Sequence, residues 1–460
     1  MKYDLAIVGS GGAGFAAAIA ATARGLQVVM VERSTIGGTC VTAGCIPSKA
    51  LLAAAESRQV ISERRFPGID GTAAPTDMAA LVAGKRELVE GLRREKYEDL
   101  AAEYGWRVLR GAAHFVAGPA LVVGNERIEA DQFLVASGSS PWVPEVPGLA
   151  ESGYLTSTTA MELERLPESV MVIGGNYVGL ELGQAFARLG TAVTLVEALP
   201  RLAPDEEPEI GEALARILTD EGITVRAGVS LTEVRYARGG VSTIVGGVEL
   251  RAETILMATG RRPNTRGLGL DEVGVLLGAN GAISVDPSLV TSNPRIWAAG
   301  DVTGAPQFVY VAAAHGTMMV DNAFFGARRT VDYSHLPRVT FTGPNIAAVG
   351  LTDAQAAAAG IACSRRVLPL AYVPRAIVNR DPRGLVKMVA DQTSGEVLGV
   401  HILAANAADA ILAATYALEA RMTVEQIAGT WTPYLSMAEG IKLVAQSFTR
   451  DISKLSCCAA

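Results

Sequence analysis

The sequence is poor in cysteine and in charge. Five cysteines in 460 residues cannot staple a secreted framework, and four of them fall into two tight pairs, Cys40/Cys45 and Cys457/Cys458. That usage points to thiol chemistry in a reducing cytosol rather than to structural disulfides, and so to a cytoplasmic protein. The fifth, Cys363, lies in an alanine-rich segment and reads as an inert buried thiol. Charged residues are 19% of the chain and the net charge is −7. An acidic balance offers no broad basic surface to a phosphate backbone, which argues against nucleic acid but leaves room for local basic pockets. Long apolar runs are missing as well. The richest, residues 5–23, is interrupted by a glycine cluster and followed by a strand-like stretch, so it is neither a signal peptide nor a membrane span. What is present is a chain that is 49% hydrophobic, long enough for roughly two to four domains that each bury a core.

The apolar run 3–8 ends in Gly9, Gly11 and Gly14, continues as an alanine-rich helix to residue 24 and returns as a strand over 27–31, which is one βαβ unit. The plan recurs at 170–173, 174–190 and 192–196. Residues 141–148 are proline-rich and read as a crossing between domains, matched by a second crossing at 261–264. After Asp332 the composition changes, with Pro337, Pro344, a strand-like 385–389 and a helix-rich end. The expected architecture is α/β: two nucleotide-binding Rossmann-like domains, 1–147 with 266–331 and 148–265, followed by an α+β domain over 332–460.

Gly9-x-Gly11-x-x-Gly14 stands between strand and helix, where its glycines permit a tight turn and let a pyrophosphate approach the helix N-terminus. Glu32 ends the next strand, in position to bond an adenosine ribose. In the second unit Gly174 and Gly179 hold the first and third glycine places, while Asn176 holds the second, where its side chain would crowd a pyrophosphate. Glu197 ends the following strand. A carboxylate there favours a ribose diol and repels a 2′-phosphate, which leans toward NADH, yet Arg201 nearby can receive that phosphate, so the choice between NADH and NADPH stays open.

Cys40-Val-Thr-Ala-Gly-Cys45 precedes Ile46-Pro47-Ser48-Lys49, and Pro47 marks the first turn of a helix. Cys45 therefore sits at a helix N-terminus. The positive end of the helix dipole favours its thiolate, which is the form that exchanges disulfides and binds soft metals.

Residues 37–49, Gly-Gly-Thr-Cys-Val-x-x-Gly-Cys-Ile-Pro-Ser-Lys, resemble the redox-active segment of the FAD-dependent pyridine nucleotide-disulfide oxidoreductases, the family of lipoamide dehydrogenase, glutathione reductase and mercuric reductase. The resemblance extends over nearly the whole chain through Ala136-Ser137-Gly138-Ser139, Met257-Ala258-Thr259-Gly260 and Ile296-Trp297-Ala298-Ala299-Gly300-Asp301. It implies FAD on the first unit, NAD(P)H on the second and dimerisation through the third. Asp301 is then expected to bond the ribityl or phosphate part of FAD, Lys49 to lie beside the flavin with Glu181 as partner, Cys45 to face the ring and Cys40 to be the outer, interchange thiol.

Dithiol-reducing members of the family carry a His-Pro segment with a carboxylate five residues after the histidine. Here Thr432 and Met437 occupy those two places, so the acid-base pair that manages thiol protons is missing and organic disulfides become poor substrate candidates. The mercuric reductase branch matches better. Leu92-Arg93-x-x-Lys96-Tyr97 resembles its segment in which a tyrosine lines the metal site, Tyr434 brings a second hydroxyl, and the ending Lys454-Leu455-Ser456-Cys457-Cys458-Ala459-Ala460 resembles its terminus. Soft Hg(II) prefers thiolates, and two exchangeable pairs let ligands replace one another without releasing the metal. The resemblance implies a homodimer in which Cys457 and Cys458 of one subunit deliver Hg(II), carried as a thiol complex, to Cys40 and Cys45 of the other. With the FAD unit starting at residue 3, no amino-terminal metal-capture domain is expected. The rival readings are a dihydrolipoamide dehydrogenase-like or other dithiol reductase, and a thiol protein that sequesters soft metal without turnover.

Overall fold

The strand Lys2–Val8 is buried along nearly its whole length, as is Val28–Glu32 beside it, the mark of strands covered on both faces. They lie in a seven-stranded sheet. Its parallel part runs Arg107–Arg110, Val28–Glu32, Lys2–Val8, Glu126–Val135, with Ile296–Ala298 also paired to Glu126–Val135. Ala113–Val116 and Ala120–Val123 extend it as antiparallel strands. The computed structural model describes residues 2–237 and 240–454.

The second glycine unit builds a five-stranded parallel sheet in the order Thr224–Ala227, Ala192–Glu197, Ser169–Ile173, Thr254–Met257, Leu155–Thr156. Just before the strand that flanks the central one, the chain makes an antiparallel excursion, Val234–Ala237, Gly240–Val245, Val248–Ala252. The first sheet makes a comparable excursion over residues 113–135, so the two halves share one plan. The two crossings meet: Ser139–Pro141 and Arg261–Pro263 form a two-stranded antiparallel ribbon with Arg261 opposite Pro141.

From residue 338 an antiparallel sheet follows, ordered Arg338–Thr340, Asn345–Gly350, Val397–Ala404, Leu385–Asp391, Cys363–Pro369. The helices Ala407–Glu419 and Glu439–Gln446 pack onto it over a core that includes Val386, Met388, Val400, Ile411 and Val444. Cys363 begins the outermost strand and is half-buried rather than enclosed, because an edge strand is covered less completely than its neighbours.

Among the described residues, Gly38–Ser62 is the stretch apolar and long enough to cross a membrane by length and composition. It is two helices rather than one, Gly38–Thr42 and Cys45–Ser62, broken at Gly44, and the second packs on the helix Tyr177–Leu189. The second helix buries Pro47, Ser48, Leu51 and Ala55.

Candidate active site

Each glycine loop is shaped by a strand end approaching from the neighbouring strand. A Cβ on Gly9 would lie 2.3 Å from the Ala136 carbonyl oxygen, and one on Gly14 would lie 2.2 Å from the Gly9 oxygen. In the second loop the distances are 2.3 Å from Gly174 to the Ala258 oxygen and 1.8 Å from Gly179 to the Gly174 oxygen. The protein itself therefore demands the first and third glycines. Gly11 is different, since a Cβ there would meet nothing nearer than Gly38 Cα at 3.9 Å. That leaves open space in front of the N-terminus of the helix Gly12–Thr22, the kind of place in which an anion can be held. Asn176 stands at the matching place, and its side chain is drawn aside: Oδ1 accepts from the Tyr177 N–H at 3.0 Å and Nδ2 donates to Asp205 Oδ2 at 2.8 Å. The crowding expected from the sequence is relieved because the amide caps its own helix.

Glu32 is buried and held by Ser10 and Ser34, with Ser10 Oγ donating to Oε2 at 2.6 Å and the Ser34 N–H to Oε1 at 2.8 Å. Glu197 accepts from the backbone N–H groups of Gly175 at 2.6 Å and Leu199 at 2.7 Å. Arg201 is not available as the sequence suggested. Its Nη2 donates to the carbonyls of Pro204 at 2.8 Å and Glu206 at 3.2 Å, which ties the guanidinium to its own loop.

The dithiol segment presses on the first loop, with a Cβ on Gly38 falling 2.4 Å from Gly11 Cα. The helix Cys45–Ser62 begins at Cys45, and Cys40 lies in the short helix before it. Both thiols are free and half-buried. The Cys40 thiol donates a hydrogen bond to the Cys45 sulfur, which pulls Cys45 down to about 7, with Lys49 adding to the effect and burial opposing it. The same bond, with burial, pushes Cys40 well above the ordinary range. The pair is thus a donor thiol and an acceptor thiolate. Lys49 Nζ donates to Glu181 Oε2 at 2.8 Å and lies 4.6 Å from the centre of the Phe341 ring; Glu181 Oε1 accepts from the Phe341 N–H at 2.8 Å. The first helix of the second unit is so tied to both the thiol segment and the C-terminal sheet.

On the opposite wall Asp301 Oδ2 accepts from Ser139 Oγ at 2.7 Å, and Arg261 Nε donates to the same Ser139 Oγ at 2.8 Å. Burial lowers the Arg261 guanidinium from its ordinary value, with Asp301 opposing. Ser137 and Gly138 bind Asn264: Ser137 Oγ donates to its carbonyl at 2.7 Å, and its N–H donates to the Gly138 carbonyl at 2.9 Å. Cys40, Cys45, Lys49, Glu181, Gly11, Gly138, Gly260 and Asp301 all line one cavity of about 2110 Å³. A cleft for one small ligand is about 300–1,000 Å³, so this space suits two large ligands meeting at the thiols.

A model of the pyridine nucleotide-disulphide oxidoreductases matches residues 3–316, and that of their dimerisation domain matches residues 336–445. The chain belongs to the pyridine nucleotide-disulphide oxidoreductase family. It is 56% identical over 467 residues to a mercuric reductase of Streptomyces lividans, covering 99% of this chain and 98% of that protein. A Staphylococcus aureus mercuric reductase is 46% identical, covering 99% of this chain and 84% of its own. Among solved structures, the HOCl-induced flavoprotein disulfide reductase RclA from Escherichia coli superposes with a TM-score of 0.88 at 29% identity, over 97% of this chain and all of that one.

Other members of the expected constellation lie outside the cavity wall of this pyridine nucleotide-disulphide oxidoreductase. Tyr97 sits in a π-helical turn, Arg94–Glu98, with its ring edge-on to Phe15 at 4.7 Å. Burial raises its hydroxyl above the usual range, with the charges of Cys40 and Cys45 adding to that, and a Cβ on Gly37, at the start of the thiol segment, would lie 3.5 Å from its ring. Tyr434 is 49% exposed in the C-terminal domain and does not line the cavity. Thr432 Oγ1 reaches only the Thr430 carbonyl, at 3.4 Å, and Met437 is buried in the C-terminal core. Cys457 and Cys458 lie outside the described residues. Sequence reasoning missed Tyr177, Arg338 and Phe341, which also line the cavity. Tyr177 stands inside the second glycine motif and its position was a signal; the other two come from a distant segment and had none.

Proposed function

We propose that the chain is a mercury(II) reductase that takes two electrons from NAD(P)H, passes them through FAD to the Cys40/Cys45 pair and reduces Hg(II) to Hg(0). The observation that carries this reading is a thiol–thiolate pair on the wall of a two-ligand cavity, in a chain that has Thr432 and Met437 where dithiol reductases carry their histidine and its carboxylate. A soft metal needs two thiolates and no proton shuttle, whereas an organic disulfide needs a base to manage its thiol protons. The similarity to mercuric reductases supports the same choice. The net balance is NAD(P)H plus Hg(II) giving NAD(P)⁺, one proton and Hg(0). FAD, when bound, supplies two-electron transfer between a reduced nicotinamide and thiols.

In this reading residues 1–147 with 266–331 hold FAD, through Gly9, Gly11, Gly14, Glu32, Ser137, Gly138 and Asp301, with Gly260 of the second segment also on the wall of the shared cavity. Residues 148–265 hold the nicotinamide, through Gly174, Gly179 and Glu197. Lys49, neutralised by Glu181, lies beside the flavin and favours the Cys45 thiolate. Residues 332–460 pair two chains into a homodimer, for which the exposure of Trp431, Tyr434 and Leu435 leaves an apolar surface. Tyr97, Tyr434 and the cysteines Cys457 and Cys458 serve the route of the metal, which arrives as a thiol complex in the cytoplasm.

The test is nicotinamide consumption under excess small thiol with Hg(II), lipoamide or glutathione disulfide as acceptor. Consumption that depends on Hg(II) is expected. A rate with lipoamide that exceeds the rate with Hg(II) would return the chain to the dithiol reductases, and binding of Hg(II) with no consumption would make it a sequestering protein.

A further inference from the structure

The Asp301 carboxylate belongs to a short turn, Gly300–Thr303, that follows the strand Ile296–Ala298. The first N–H groups of such a turn have no partner inside it. That of Gly300 is met by His315 Nδ1, at 3.2 Å. His315 is 2% exposed and stands on the helix Val309–Phe325. This helix crosses the helix Gly12–Thr22 so closely that a Cβ on Gly316 would lie 2.2 Å from the Ala13 carbonyl oxygen. The crossing puts the imidazole beneath the turn. Its Nε2 lies 2.7 Å from Tyr333 Oη. Since Nδ1 receives a proton donor, the neutral ring carries its own hydrogen on Nε2 and gives it to Tyr333. Burial lowers the basicity of the ring, which agrees with the neutral form. His315 does not line the cavity, whereas Gly300, Asp301 and Gly304 do.

We propose that His315 is a positioning residue for the FAD site: by accepting the Gly300 N–H it fixes the turn that presents Asp301, and Tyr333 fixes the tautomer that lets it do so. The inference rests on the reading of the cavity as an FAD site. Neither residue carries out chemistry; both act through the Gly300 backbone.

FAD affinity of the full chain, stripped and titrated with FAD by flavin fluorescence, tests this. His315→Leu fills similar space but leaves the Gly300 donor unpaired, and is expected to weaken FAD binding on the order of tenfold. His315→Gln retains an acceptor oxygen and is expected to stay within about threefold of the parent. Hydrogen exchange at the Gly300 amide, read without FAD, should quicken in the leucine variant and remain slow in the glutamine variant. Parental affinity in His315→Leu would overturn the proposal, and so would equal loss in both variants, which would make the ring a space-filler. If His315→Leu does not fold, Tyr333→Phe decides: faster Gly300 exchange than in the parent supports the proposal and unchanged exchange overturns it. A parent that binds no FAD would instead remove the reading on which the proposal rests.

Discussion

At neutral pH an ordinary cysteine is a few per cent thiolate, but a thiol at about 7 is roughly half ionised. The alkylation rate of Cys45 should therefore rise with pH and reach half its maximum near 7. The hydrogen bond from Cys40 is the largest cause, so Cys40→Ala should shift that midpoint upward, toward the ordinary value of about 8.5; mass spectrometry of iodoacetamide-treated protein over a pH series measures both. An unmoved midpoint in Cys40→Ala would mean that Lys49 and the helix N-terminus suffice. The second residue-scale prediction concerns nicotinamide choice. In the proposed nicotinamide site Glu197 meets the ribose, while Arg201, four residues on, donates to the Pro204 and Glu206 carbonyls. NADH should exceed NADPH in kcat/KM on the order of tenfold by repulsion of the 2′-phosphate. Arg201→Ala should leave the ratio nearly unchanged. A strong NADPH preference that vanishes in that variant would show the arginine swinging out to bind. The first and third glycines of each loop were legible in the sequence because the backbone demands them, and the cysteine pair and the two strand-end glutamates because their spacing from those loops marks them. The anchoring of Arg201 was not, since it depends on where a loop folds back.

At the scale of elements, the joint between the second sheet and the C-terminal sheet is ionic and buried. Lys387, in the strand Leu385–Asp391, is fully buried and bonds Glu207 at 2.8 Å, Glu209 at 2.9 Å and Asp353 at 3.0 Å. Removing one partner of such a cluster leaves an uncompensated buried charge, at a cost of about 3–5 kcal/mol. Lys387→Met should lower the thermal midpoint, and adding Glu207→Gln should recover part of the loss because the orphaned carboxylate is gone. No recovery in the double variant would place the cost in packing instead. The βαβ repeats were readable from their 3.6 and 2 periodicities. Lys387 was not: nothing in the run of Leu, Val, Met and Val around it signals a buried charge, and only the tertiary meeting with Glu207 and Glu209 gives it partners. The π-helical turn at Tyr97 was equally hidden, since nothing in its composition distinguishes it from the helices on either side.

For the whole molecule, the proposed route of the metal runs between two subunits. Cys457→Ala with Cys458→Ala should impair turnover mainly when Hg(II) is presented on bulky or strongly chelating thiols, since small labile complexes can reach Cys40 and Cys45 directly. FAD content and hydride transfer should stay near parental. Steady-state rates across mercury–thiol complexes of increasing size measure this, and equal rates for parent and variant throughout would leave the tail without a role. The ribbon of the two crossings carries one more consequence. The segment that builds the second sheet begins and ends at paired neighbours, Pro141 opposite Arg261, with the Trp142 N–H donating to the Gly260 carbonyl at 2.9 Å, so it behaves as a cassette. A relative's segment with the opposite nicotinamide preference could be spliced in at this seam without rerouting the chain. The graft would also have to supply carboxylates for Arg338, Arg383 and Lys387, which Glu206, Glu221 and Glu207 provide here. Portability is therefore set by ion pairs away from the seam, these three together with Lys49–Glu181, Lys85–Glu162 and Arg188–Glu56 among them, rather than by the seam itself.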